Sequence, residues 1–192
     1  MILNTTYLRA LSTIQASKKA RHDHLDGVQV VQDATLNGTA YTTTNGHVLV
    51  RVTHTTRAGL NSEHDRTVWL DRATIKQIPS KATAEYTGEQ LILAGDGCET
   101  RLTPTEPAVQ FPDCEPVISR AIRPGVDAPE LKIWLDPTLC AGVLAACGKL
   151  GAETMHLEQP GGPGTPMVLT GTCGDGDTIL ALAMPKGTPD AS

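Results

Sequence analysis

The sequence predicts an α+β protein made of three β-α-β-β units, each with room for one further strand, with helices on one face of antiparallel sheets. Two observations predict it. One phrase occurs three times, as Ile2-Leu3-Asn4-Thr5-Thr6-Tyr7-Leu8, Val68-Trp69-Leu70-Asp71-Arg72-Ala73-Thr74 and Ile133-Trp134-Leu135-Asp136-Pro137-Thr138-Leu139. Aligned on Asn4, Asp71 and Asp136 the copies lie 67 and 65 residues apart, so the 192 residues divide into three units. The second observation is that short β-rich runs, joined by Asn-Gly or Asp-Gly, follow each copy.

In each phrase a short apolar run ends in Asn or Asp, whose side chain can accept a hydrogen bond from the free amides of a first helical turn. The phrase therefore reads strand, cap, helix. The first helix is expected from Thr5 to about Arg21, with Leu8, Leu11 and Ile14 on one face. The second, Ala73 to Ile78, stops before Pro79, because proline disfavours helix at the residue preceding it. The third starts with Pro137 just inside the helix, where its missing N–H costs nothing, and runs to about Cys147.

Strands follow. Val28 to Val31, Thr39 to Thr44 and His47 to Thr53 are separated by Asn37-Gly38 and Asn45-Gly46. Unit two repeats this with Gln90 to Ala94, Asp96-Gly97 and Cys98 to Leu102, and unit three with Met167 to Thr170, Asp175-Gly176 and Thr178 to Met184. The Arg57 to Asp65 stretch and the Arg120 to Glu130 stretch, which contains Pro124 and Pro129, read as links, and Gly161-Gly162-Pro163-Gly164 as a loop within unit three.

Composition narrows the function. Hydrophobic residues at 40% suffice for a core that Val, Leu, Ile and Ala must fill, since aromatics are only 3%. A formal net charge of −5 argues against a protein that coats nucleic acid over its whole surface and leaves a local basic face open. Five cysteines without a CxxC pair indicate neither a disulfide framework nor a zinc site, and suit a reducing cytoplasm. With no signal-peptide pattern and no apolar run near the roughly 20 residues of a membrane span, a soluble, unprocessed, cytoplasmic protein is expected.

No GxSxG, P-loop or HExxH occurs, so the chain reads as non-catalytic and without a cofactor. His22-Asp23-His24, with His54 and His64 elsewhere, is the best metal-like cluster and the basis for a small metal-dependent enzyme as a competing class. Placed after a helix and before Asp26-Gly27, it reads more simply as a polar turn. Cys140 and Cys147, seven apart, share a helix face and read as core. Cys173 lies beside the Gly174-Asp175-Gly176 turn, where exposure is expected, with no neighbouring base to activate it. Asp175 and Asp177 lack the spacing of an EF-hand loop.

Three segments carry a family resemblance. Thr44-Asn45-Gly46-His47-Val48-Leu49 resembles the Thr-Asp-Gly-His-Arg-Leu segment of the bacterial DNA polymerase III β sliding clamp. Phe111-Pro112-Asp113-Cys114-Glu115-Pro116-Val117-Ile118 resembles that family's Phe-Pro-Asp-Tyr segment, and Ala183-Met184-Pro185 its terminal Met-Pro. Residues 1 to 119 resemble a complete two-unit clamp domain, with units at about 1–60 and 66–119. Residues 120–130 would then link it to a half domain at 131–192.

The resemblance implies a DNA clamp-like fold and a processivity function: a ring that holds double-stranded DNA without reading its sequence and tethers replication proteins. The helix residues implied to face DNA are Arg9, Lys18, Lys19, Arg21, Arg72, Lys76 and Lys149. The family's hydrophobic peptide-binding cleft would be lined by Thr44, Gly46, His47, Leu49, Pro112, Val117, Met184 and Pro185. Its occupants would be short linear peptides of a DNA polymerase or other replication proteins, and a clamp loader is a compatible partner. The chain departs from the pattern where Val48 replaces a basic residue, Cys114 the Tyr and Lys186 an apolar residue.

An odd number of units leaves three arrangements open. Four chains would supply the twelve units of a ring, two chains would pair their third units into an open homodimer, or the third unit would pack on the first domain of its own chain. The open forms could not encircle DNA, which makes a non-encircling regulator of replication proteins the alternative reading.

Overall fold

The computed structural model describes residues 1–14, 25–33, 38–55, 66–95, 97–105, 110–122, 136–159, 165–174 and 176–184. Unit one contributes strand β1 (Ile2–Leu3), helix α1 (Thr5–Leu11) and strands β2 (Gly27–Asp33), β3 (Gly38–Thr44) and β4 (Val48–Thr55). Unit two contributes β5 (Arg66–Asp71), α2 (Arg72–Gln77), β6 (Thr83–Tyr86), β7 (Leu91–Gly95), β8 (Cys98–Leu102) and α3 (Glu115–Ile122). Unit three contributes α4 (Pro137–Lys149), β9 (Met155–Glu158), β10 (Met167–Thr172) and β11 (Thr178–Ala183).

All three expected caps form. The Asn4 side chain accepts from the amides of Thr6 and Tyr7, Asp71 from Thr74, and Asp136 from Thr138 and Leu139. The first helix is shorter than its periodicity suggests, ending at Leu11 and not near Arg21. Ser12 and Thr13 turn their hydroxyls back onto the carbonyls of Arg9 and Ala10, a local alternative to continued helix. Helix α3 was not expected; its Ile118 and Ala121, one turn apart, are both buried.

The strands form a seven-stranded sheet in the order β5-β2-β3-β4-β11-β10-β9 and a four-stranded sheet in the order β1-β6-β7-β8. Two features of this order decide the architecture. The leading strands of units one and two are exchanged: β1 pairs with β6 of unit two, and β5 with β2 of unit one, both antiparallel. The third unit joins the first by a direct antiparallel pairing of β11 with β4, from Thr178 opposite Thr53 to Ala183 opposite Val48.

Alternation then sorts side chains to two sides of the long sheet. Val48, Val50, Val52, Ile179, Ala181 and Ala183 face the main core together with Leu8 and Leu11 of α1, Ile75 of α2 and Val143, Ala146 and Cys147 of α4. Full burial of a Leu such as Leu8 or Leu11 is worth about 1.5–3 kcal/mol. Leu49, Val168 and Leu182 face the opposite side, where Phe111, Cys114, Ile118 and Ala121 cover the β4–β11 junction. Cys147 is core, with Cys140 packed against it. Cys173 is buried in the same core, not exposed, because its side chain packs beside Tyr7 of α1.

A buried carboxylate ties the two joined units together. Asp177, 2% exposed, accepts from the Tyr7 hydroxyl and the Thr55 amide and pairs with His54 Nδ1 at 2.7 Å. Tyr7 stacks edge-on against Tyr41, whose hydroxyl accepts from the Asn4 amide. Burial first, and the Asp177 carboxylate second, hold the Tyr7 hydroxyl protonated well above the usual tyrosine range.

Candidate functional site

The β3–β4 turn is built by its own side chains. Asn45 Oδ1 accepts from the amides of His47 and Val48, and Thr44 Oγ1 donates to the Val48 carbonyl while accepting from the Gly46 amide. Gly46 sits at φ 87°, a conformation that costs a side-chain-bearing residue energy. The Met184 amide donates to the His47 carbonyl at 2.9 Å, which fixes the end of β11 beside this turn. From the other side, Asp113 Oδ1 accepts from the Glu115 amide and starts α3, and Glu115 pairs with Arg51 of β4.

These three segments enclose an open apolar pocket of about 460 Å³. Of the residues expected to form a cleft, Thr44, Gly46, His47, Leu49, Pro112, Val117 and Met184 all line it; Pro185 lies outside the described residues. Leu49 forms part of the buried floor, while Val117 and Met184 stand at 46% and 43% exposure. Such solvent-facing apolar side chains at a pocket mouth cost little to cover and release water when covered.

Sequence reasoning missed the wall formed by Leu25, Pro166 and Leu182, which reach the pocket from just before β2 and from unit three. The alternation of β11 was the available signal for Leu182, once that strand's partner was known. Val48 and Cys114 also line the pocket, so both departures from the family pattern fall inside it. Burial pushes the Cys114 thiol up to about 11, so it stays neutral and acts as a small apolar group. Asp113 is the one carboxylate among the described lining residues.

Two of the described basic residues are engaged by the protein itself. Arg9 Nη2 donates to the Ile78 carbonyl at the end of α2. Arg72 Nη2 donates to the Ile14 carbonyl after α1 and pairs with Asp26 at 2.9 Å, leaving its side chain 17% exposed. These two guanidiniums therefore fasten units one and two to each other. Lys76 and Lys149 are exposed on α2 and at the end of α4. Lys18, Lys19 and Arg21 lie outside the described residues, as do His22, Asp23, His24 and His64. Among the described residues no three His, Cys, Asp or Glu side chains are grouped to hold a metal, and no helix is long and apolar enough to cross a membrane.

The sequence matches no protein-family model, and no curated protein matches it. Solved structures do match the fold. A putative DNA polymerase III β subunit from Eubacterium rectale superposes with a TM-score of 0.68 at 10% identity, over 98% of this chain and 65% of that one. The Helicobacter pylori β clamp in complex with diflunisal gives 0.66 at 12% identity, over 95% of this chain and 64% of that one. The same organism's β clamp bound to a DNA ligase peptide gives 0.65 at 14%, over 97% and 65%. The chain thus has the α+β fold of bacterial β clamps, as its motifs suggested, and spans just under two thirds of their length.

Proposed function

We propose that this chain is a non-catalytic, clamp-like replication protein that receives short apolar peptides of a DNA polymerase or other replication proteins in the pocket between the β3–β4 turn, the Pro112–Val117 segment and Met184. The observation that carries this reading is convergence. Residues from three segments as far apart as Thr44, Pro112 and Met184 meet around one apolar pocket. A pocket of this size takes one or two apolar side chains of an extended or turned peptide, with Met184 adapting to their shape. A solved neighbour of the same fold holds a DNA ligase peptide, which supports peptide capture as the use of such a chain.

The test is a binding titration with a fluorescent peptide bearing an apolar polymerase-type tail. His47→Ala with Met184→Ala is expected to weaken binding about tenfold or more, equivalent to about 1.4 kcal/mol. Equal affinity for wild type and double variant would reject the pocket.

For DNA, the proposal is sequence-independent retention within a homo-oligomer, through Lys76 and Lys149 on the helices together with Lys18, Lys19 and Arg21. A non-encircling regulator of replication proteins is the second reading. It is favoured by the engagement of Arg9 and Arg72 with the protein's own carbonyls, which leaves the described helix face with fewer cations for phosphate. Retention on closed circular DNA, lost on linearisation, separates the two.

A further inference from the structure

Units one and two close their sheet edges by exchange; among the described residues, unit three shows no such pairing. In the first two, the strand that follows the helix receives the other unit's leading strand: β6 receives β1, with Leu3 opposite Ala84, and β2 receives β5, with Leu70 opposite Val28 and Val68 opposite Val30. All six of these side chains are buried. In neither unit does the leading strand join the sheet of its own unit.

Strand β9 holds the corresponding place in unit three. Among the described residues it pairs with β10 alone. Its Met155 and Leu157 lie opposite Gly171 and Leu169 and so share the core side of the sheet, yet Leu157 is 51% exposed where its counterpart Val30 is 0%. Helix α4 tells the same story. Its Leu139 and Val143 line the cleft it forms with Ile14 beyond α1, and Leu144, turned about 100° from Val143, is on the other flank and 53% exposed. Since α1 lies over β3 and α4 over β4 and β11, that flank looks toward β9.

We infer that this flank is the docking surface for the third unit of a second copy of the chain, each copy lending its leading strand to the other's β9. The occupant is specified by sequence. Ile133-Trp134-Leu135-Asp136 repeats Val68-Trp69-Leu70-Asp71 with one conservative change, and residues 133–135 lie outside the described residues. Transferring the β5–β2 register sets Leu135 opposite Met155 and Ile133 opposite Leu157, with Trp134 opposite His156 as Trp69 is opposite Gln29. The exchange is self-complementary, so it closes at two chains and does not propagate. It also covers a strand edge that no described residue pairs, and an uncovered edge invites indiscriminate pairing. The inference does not depend on peptide binding, because the pocket lies at the β4–β11 junction.

The test is mass in solution by sedimentation equilibrium across a wide range of concentrations, for wild type and for Leu157→Glu and Leu144→Glu. The wild type is expected at twice the 20.3 kDa chain mass. Each substitution, at a side chain already exposed in the single chain, should raise the dissociation constant about tenfold or more while leaving the circular dichroism spectrum and pocket peptide binding unchanged. Amide exchange gives a reading that needs no variant: protection across Met155–Glu158 should rise with protein concentration. A wild type of single-chain mass at every concentration, an assembly indifferent to both substitutions, or β9 exchange independent of concentration would each overturn the inference.

Discussion

The Tyr7 hydroxyl donates to the Asp177 carboxylate across a separation of 170 residues, and this buried bond joins the first helix of unit one to the last hairpin of unit three. Around it the β4–β11 ladder supplies the backbone pairing and His54 Nδ1 a further hydrogen-bond partner. A carboxylate at 2% exposure is tolerated only while its oxygens are satisfied.

Removing that donor should therefore loosen the third unit. Tyr7→Phe is expected to destabilise the protein by about 1–3 kcal/mol, the usual cost of a buried polar group losing its partner. Urea unfolding would measure it. A Tyr7→Phe protein as stable as wild type would show that the bond contributes nothing.

Alkaline pH should act on the same region. Tyr7 is held protonated above its ordinary range, mainly by burial, and burial pushes Cys147 up to about 11 and Tyr41 to about 12. All three shifts are upward in the folded state, so the stabilisation is complete below the unfolded pKa values and is lost as pH rises through the folded ones. Stability should hold to about pH 9 and fall above it, with a shallower fall in Cys147→Ala. A melting temperature unchanged between pH 9 and 11 would contradict this.

At the pocket turn, Gly46→Ala tests backbone geometry in isolation. An added Cβ would meet nothing closer than Leu25 Cδ1 at 3.9 Å, so the cost comes from φ 87° alone and should be about 1 kcal/mol. Thermal unfolding reads the loss, and peptide titration should show weaker binding because the turn carries Thr44 and His47.

Among the basic residues, placement predicts a division of labour. Arg72→Ala should cost about 1.5–3 kcal/mol in stability, because it frees the Ile14 carbonyl and Asp26 at once, whereas Lys76→Ala should cost less than about 0.5 kcal/mol. Lys76→Glu with Lys149→Glu should lower DNA retention without altering the melting temperature. The opposite pattern would place Arg72, and not the lysines, on the DNA side.

The fold was legible wherever local chemistry decides it. Asn4, Asp71 and Asp136 announced three helices because a cap satisfies amides within the next three residues. The Asn-Gly and Asp-Gly pairs announced hairpins, and Gly46, Gly97 and Gly176 have the positive φ such turns favour, whereas Gly38 opens β3 without it. Strand exchange was not legible, since nothing in Ile2-Leu3 distinguishes pairing with its own unit from pairing with residues 84 and 85. Helix α3 escaped because Pro112 and Pro116 suggest a loop, and its burial depends on a far sheet face that only the β4–β11 junction creates. The pocket was legible through motif likeness at seven positions, but its Leu25, Pro166 and Leu182 wall arises from tertiary placement. The roles of Arg9 and Arg72 were hidden for the same reason: a basic residue on a short helix looks alike whether it meets solvent or a neighbouring helix end.

The exchange of leading strands also sets a timetable for synthesis. Leu3 leaves the ribosome some eighty residues before Ala84, its partner in the ladder, so the pairing of β1 must wait for the second unit. The first unit's β2 waits likewise for Leu70. Neither of the first two units can mature alone on the growing chain, and their pairing should arrive as one late, cooperative event, slow in the manner of folds dominated by distant contacts.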